Sequence, residues 1–117
     1  MLLPDDPRPL LYEGLCYERL TDIAQTAEEK QRDFTLGEAV LRRALRLNLD
    51  LPDYSPALPY RALAALYAHV NDYRSVLEAL KRAQQAAPSN SDAANVEHQI
   101  QSVEQYLATQ GHVTTNR

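Results

Sequence analysis

Apolar residues in this chain recur at three- and four-residue spacing almost from end to end, and little separates one run from the next. Tyr60, Leu63, Ala64, Tyr67 and Val70 make one stripe, and Tyr73, Val76, Leu77, Leu80, Ala83 and Ala87 make another. That period belongs to helices buried along one side, not to strands, whose side chains alternate. Only Asn71-Asp72 lies between the two stripes. Two residues leave room for a tight turn, so the helices must fold back on each other. Asp72 is placed to cap the second by accepting an unpaired backbone N–H. Pro88 ends it, because proline cannot continue the backbone ladder and restricts the residue before it. Residues 57–88 therefore read as an antiparallel helical hairpin.

The rest of the chain follows the same rule. Ala93, Val96, Ile100, Val103 and Leu107 form a third stripe, backed by a wide polar face, with Gly111 as its stop. This is the pattern of a terminal capping helix over 91–109, followed by a polar, flexible tail over 112–117. In the first half, one helix starts at Asp6-Pro7, with Asp as cap and Pro in the first helical position. It shows Leu10, Gly14, Tyr17 and Leu20, and its pattern extends through Ile23 and Ala27 toward Glu28-Glu29-Lys30. A second starts at Thr35, where Thr35-x-x-Glu38 has the form of a capping box and Phe34 flanks it. The stretch 51–59 holds three prolines and reads as a rigid connector. About five helices are expected, with no strand.

The two halves are related. Asp33-Phe34 and Asp72-Tyr73 are offset by 39 residues, as are Leu41 and Leu80, Arg43 and Arg82, and Ala44 and Ala83. In the preceding helices Pro9-Leu10 aligns with Pro59-Tyr60, Gly14 with Ala64 and Tyr17 with Tyr67, at an offset of 50. The first copy thus carries 11 extra residues between its helices. Two longer helices with 28–32 as a solvated tip accommodate them; an insertion that itself binds something is the alternative.

With the repeat in hand, the second hairpin resembles a tetratricopeptide repeat. It carries Tyr60-x2-Leu63-Ala64-x2-Tyr67, then Val76-x3-Leu80-x2-Ala83, then Pro88, with Asn71-Asp72-Tyr73 at the turn where the family favours Gly-Asp-Tyr. Only Val76 and Asn71 depart from the pattern. Small residues (Ala64, Ala83) let helix backbones approach, and large ones (Tyr60, Tyr67, Leu80) fill the gaps beside them. The first copy is degenerate, with Glu13 where Leu is usual and Gly37-x3-Leu41-x2-Ala44 in its second helix. The resemblance implies a single all-α domain over 1–111: antiparallel hairpins stacked as a short right-handed solenoid. Its parts are a degenerate repeat (7–51), a connector (52–56), a repeat (57–90) and the capping helix. Pro4-Asp5-Asp6 resembles the close of a preceding repeat, which suggests a piece of a longer array with exposed stacking ends and self-association through them.

The composition excludes several functions. Net charge is −4, and the densest basic group, Arg42, Arg43 and Arg46, has Glu38 one turn before Arg42. This reads as a solvated helix face, not a nucleic-acid footprint. No apolar run approaches the roughly 20 residues of a membrane span. No secretory leader is visible, so a cytoplasmic location is the default, export remaining open for a fragment. The lone Cys16 reads as a buried structural thiol. His69, His98 and His112 lack ligand spacing, the three glycines are isolated, and Asp5-Asp6 and Glu28-Glu29 sit in exposed segments. No metal, cofactor or catalytic residue is expected.

In the family the first helix of each pair lines a concave groove. The resemblance therefore implies a protein-interaction module that takes a peptide or protein segment along Arg8, Leu11, Tyr12, Leu15, Arg19, Leu58, Arg61, Ala62, Ala65 and His69. Tyr12 and Leu15 would anchor it, and Arg8 or Arg61 would meet an acid. Ala62 and Ala65 equally suit packing against a neighbouring helix, and Tyr12 equally suits the core. A carboxylate clamp of the kind some family members use is disfavoured, because Ala65 and Leu15 stand where Asn would be needed. Two other roles stay open: a structural or self-associating segment of a longer repeat protein, and a regulatory domain attached to an enzyme.

Overall fold

A computed structural model describes residues 6–47, 55, 57–86 and 93–115. The described residues are all-helical. Five helices follow one another: α1 (Arg8–Ile23), α2 (Ala27–Leu47), α3 (Ala57–His69), α4 (Tyr73–Ala86) and α5 (Ala93–Thr115). α1 pairs with α2 and α3 with α4 as two hairpins. α3 also packs on both α1 and α2, and α5 packs on α4 alone. The molecule is a slab of 58 × 38 × 19 Å.

The turn between α3 and α4 shows how the sequence stops one helix and starts the next. Asn71 adopts the left-handed conformation, with φ 60°. The Asp72 N–H donates to the Tyr67 carbonyl at 3.1 Å, and the Asn71 N–H to the Ala68 carbonyl at 3.1 Å. These are the two bonds of a Schellman ending, which satisfies carbonyls a helix end leaves unpaired. Asp72 then caps α4: its carboxylate accepts the Ser75 N–H at 3.2 Å and the Ser75 hydroxyl at 2.7 Å.

The tip of the first hairpin differs from the sequence reading. α1 ends at Ile23, and α2 already begins at Ala27, so Thr35 lies within a helix. The capping box is Thr26-x-x-Glu29. Thr26 Oγ1 accepts the Glu29 N–H at 3.0 Å, and Glu29 accepts the Gln25 N–H at 3.2 Å. The extra residues do lengthen the helices: α2 has 21 residues against 14 in α4. At the other end of the chain, α5 passes through Gly111 to Thr115. A lone glycine costs a helix about 1 kcal/mol and does not by itself end one. Pro88 and most of the connector lie outside the described residues.

The core runs between the hairpins. Leu41, Leu66 and Thr21 are fully buried, and the matched pairs Leu41 and Leu80, Ala44 and Ala83, and Gly14 and Ala64 are all buried. α3 is enclosed on several sides, with Ala62, Leu63, Ala64, Leu66 and Tyr67 all buried. Its first-half counterpart is enclosed less. On α1 only Leu11, Gly14 and Thr21 are buried, while Leu20 is exposed, although its spacing assigns it to the stripe. Cys16 is exposed too, against the expectation of a buried thiol. It lies on the side of α1 away from Gly14 and Leu11. Each buried polar group finds a partner: the Thr21 hydroxyl donates to the Tyr17 carbonyl at 2.8 Å, and Asp33 accepts from Arg32 at 3.5 Å.

Two glycines set the spacing of the first hairpin. A Cβ on Gly14 would overlap the Leu41 side chain, and one on Gly37 would lie 2.9 Å from the Tyr17 Cβ and 3.2 Å from Leu66 Cδ2. Leu41 and Leu66 are fully buried and have nowhere to move. Gly14→Ala gains about 1 kcal/mol of helix propensity but overpacks the core at a cost of about 1–3 kcal/mol. Its urea midpoint should therefore fall below wild type. At the α3–α4 turn the sign is set by backbone conformation: Asn71→Ala should lose about 1 kcal/mol in the same assay, whereas Asn71→Gly should hold or gain stability.

Candidate functional site

α5 packs on α4 through Val96, Ile100 and Val103, which belong to or border the main core. The two helices run antiparallel. Tyr73 at the start of α4 meets Tyr106 late in α5, with ring centroids 4.8 Å apart, and Gln84 donates to Glu97 at 2.6 Å near the other end. α5 does not pack on α3, and the space left between them is a groove of about 620 Å³. That volume lies within the range of ligand and peptide pockets.

Each helix contributes one face. α1 supplies Leu11, Leu15 and Glu18, spaced one turn apart. α3 supplies Leu58, Arg61, Ala62, Ala65 and Ala68, at steps of three and four, and α4 supplies Tyr73, Val76 and Leu80. His98, Gln99, Ser102 and Val103 form the α5 wall. The floor is kept low by alanines. Leu15 and Leu58 rise beside it, 42% and 36% exposed.

Six of the residues expected along the groove line it: Leu11, Leu15, Leu58, Arg61, Ala62 and Ala65. Arg8, Tyr12, Arg19 and His69 do not. Arg8 is engaged by Asp6, whose carboxylate accepts from its backbone N–H at 2.9 Å and from its guanidinium at 2.7 Å. The guanidinium, with that N–H, holds the Asp6 carboxyl below its ordinary value. Tyr12 is 64% exposed, because a helix turns about 100° per residue and carries it off the side shared by Leu11 and Leu15. His69 ties α3 to α1, with Nε2 3.0 Å from Glu18 and Nδ1 3.6 Å from Asp22. The α5 wall and the α4 residues were not anticipated. Tyr73, Val76, Leu80 and Val103 belong to stripes that read as core, and His98, Gln99 and Ser102 to the polar back of the capping helix; only the separation of α5 from α3 brings them together around a groove.

A polar cluster lies elsewhere on α3, toward α2. The Tyr67 hydroxyl donates to Glu38 and accepts from Arg42 Nη2 at 2.7 Å, while its ring packs on Phe34 at 5.7 Å. Burial pushes the Tyr67 pKa up, and the Glu38 carboxylate adds to this, to about 12. Burial works against the Arg42 charge, but the Tyr67 oxygen and Glu38 outweigh it and raise the Arg42 pKa. The solvated face expected at Arg42 is thus partly an inter-helix tie. The signal was present: a buried Tyr hydroxyl needs a partner, and Glu38 and Arg42 were one turn apart.

Among the described residues no group of His, Cys, Asp and Glu could hold a metal ion, and no helix is long and apolar enough to cross a membrane. Comparison of the chain with family models, curated proteins and solved structures gives no match.

The Tyr67 tie has a pH signature. Its folded pKa lies above the value of about 10 for an unfolded tyrosine, so its contribution is complete below pH 10 and is lost as pH rises toward 12. Tyr67→Phe should cost about 1 kcal/mol at neutral pH. The gap between wild type and variant, read from urea midpoints, should close between pH 10 and 12.

Proposed function

We propose that this chain is a tetratricopeptide-type interaction module that holds an amphipathic helical segment of a partner protein between α3 and α5. The observation that carries this reading is the mainly apolar lining of that groove of about 620 Å³. Leu11, Leu15, Leu58, Ala62, Ala65 and Ala68 give the floor and one wall a mainly hydrocarbon surface, with Glu18 and Arg61 among them. An extended peptide laid there would leave backbone groups unpaired at a cost of about 1–3 kcal/mol each. A helix satisfies its own backbone and presents apolar residues one turn apart, which is what a groove of hydrocarbon selects. The alanines of α3 supply the close approach that a helix backbone requires. Polar groups stand on both sides, Glu18 and Arg61 on α1 and α3 and His98, Gln99 and Ser102 on α5, where they can set the register of the bound segment. That α1 and α3 both border the groove agrees with the family resemblance, in which the first helices of the pairs form the binding face.

Selection of peptides from a random display library on the purified chain tests the proposal. Selected sequences should carry apolar residues at i, i+3 or i+4, and i+7. By calorimetry, Ala65→Trp, which fills the groove from its floor, should weaken them by about tenfold or more without lowering the melting temperature. Tyr12→Ala, off the groove, should leave affinity unchanged. Peptides that bind the Ala65→Trp variant as well as wild type would remove the groove from the proposal.

A further inference from the structure

The groove between α3 and α5 has a negative end and a positive end. α2 runs antiparallel to α1, with Gly14 against Leu41 and Tyr17 against Gly37. It also runs antiparallel to α3, with Gly37 near Leu66 and with Leu45 and Tyr60 lining one cavity. α1 and α3 therefore run the same way along the groove. They finish together as well: Glu18 and Asp22 of α1 meet His69, the last residue of α3, at 3.0 and 3.6 Å.

At that end the groove is bordered by Glu18, by Ala68 in the last turn of α3 and by Tyr73. Two carboxylates face one imidazole there, and a protonated His69 offsets only one of them. The cations adjacent in sequence, Arg19 and Arg74, do not border the groove. The carbonyl end of the α3 dipole adds negative character within its last turn. At the opposite end stand Leu58, in the first turn of α3, and Arg61, beside the positive end of the same dipole. Ala68 lies about 10 Å further along the helix than Arg61.

A helix laid along this groove carries its own dipole, positive at the N terminus. Antiparallel to α1 and α3, it sets that positive end against Glu18 and the end of α3, and its carbonyl end beside Arg61. Laid parallel, it sets like ends together at both places. We infer that the helical segment held in the groove lies antiparallel to α1 and α3, with a Lys or Arg of its N-terminal turn against Glu18. The inference rests on the peptide-binding reading of the groove and adds a direction and a charge to it. The charge pattern is distinctive. A helix standing alone favours acids in its first turn and bases in its last, so a basic first turn comes from the groove and not from helix-forming tendency.

Peptides selected on the purified chain from a random display library test it. They should carry Lys or Arg in the turn before their apolar i, i+7 pair. A nitroxide on the N terminus of such a peptide should broaden the amide signals of Ala68 and Tyr73 more than those of Leu58 and Arg61. The same label on the C terminus should reverse that order. Glu18→Gln, which keeps the side-chain shape and can still bond to His69, should weaken the peptide by about two- to fivefold. An N-terminal label that broadens the Leu58 end more, or acids in place of bases in that turn, overturns the inference and leaves the groove reading standing. So does a Glu18→Gln variant that binds as tightly as wild type. If labels at neither terminus broaden any groove residue, the groove reading falls and this inference with it.

Discussion

The structure depends on the burial of α3. This helix packs against α1, α2 and α4 at once, and among the described helices it alone of the second pair packs on the first hairpin. Burial on several sides demands small residues where backbones meet and large ones where they part. Ala62 and Ala64 meet the first need, and Leu63, Leu66 and Tyr67 the second. The fit is completed from the other hairpin, where Gly37 leaves space for Leu66 and for Tyr17. At each close approach one partner has given up its side chain, which is why the first hairpin needs glycine where the second uses alanine or valine.

The electrostatic ties reinforce that arrangement. Tyr67 buries its ring but not its hydrogen-bonding needs, and Glu38 and Arg42 of α2 supply both an acceptor and a donor. His69, at the far end of the helix, reaches Glu18 and Asp22 of α1. α3 is thus held by a polar contact to each helix of the first hairpin, around an apolar middle. Polar groups placed this way favour one register of α3 over neighbouring ones, since a shifted helix would strand a buried hydroxyl.

Much of the fold was legible because helical periodicity is a local property. The hairpin turn at Asn71-Asp72, the cap at Asp72 and the buried pairs Leu41 and Leu80, and Ala44 and Ala83, all appear in the structure where spacing placed them. The misses have a common physical origin. Thr35-x-x-Glu38 and Thr26-x-x-Glu29 both satisfy the same local chemistry; the start at Thr26 also makes Asp33 and Phe34 helical, where Asp33 is buried and Phe34 packs on Tyr67 of α3. Leu20 and Cys16 sit among apolar residues, but a stripe of apolar residues does not say how many neighbours a helix has. Among the described residues no helix covers one side of α1, and Cys16 and Leu20 on that side are exposed.

The sequence by itself determined that this chain is helical and where its second hairpin turns, because each depends on residues within a turn or two of one another. It also marked six of the residues around the groove, through the phase of α1 and α3. Only the tertiary structure decided that α5 would lean on α4 and leave α3 uncovered, and that Tyr12, Arg8 and His69 would fall outside the groove. The relative placement of helices far apart in the chain is a balance among packing surfaces. A single helix's sequence states which of its faces are apolar but not which neighbour will cover them.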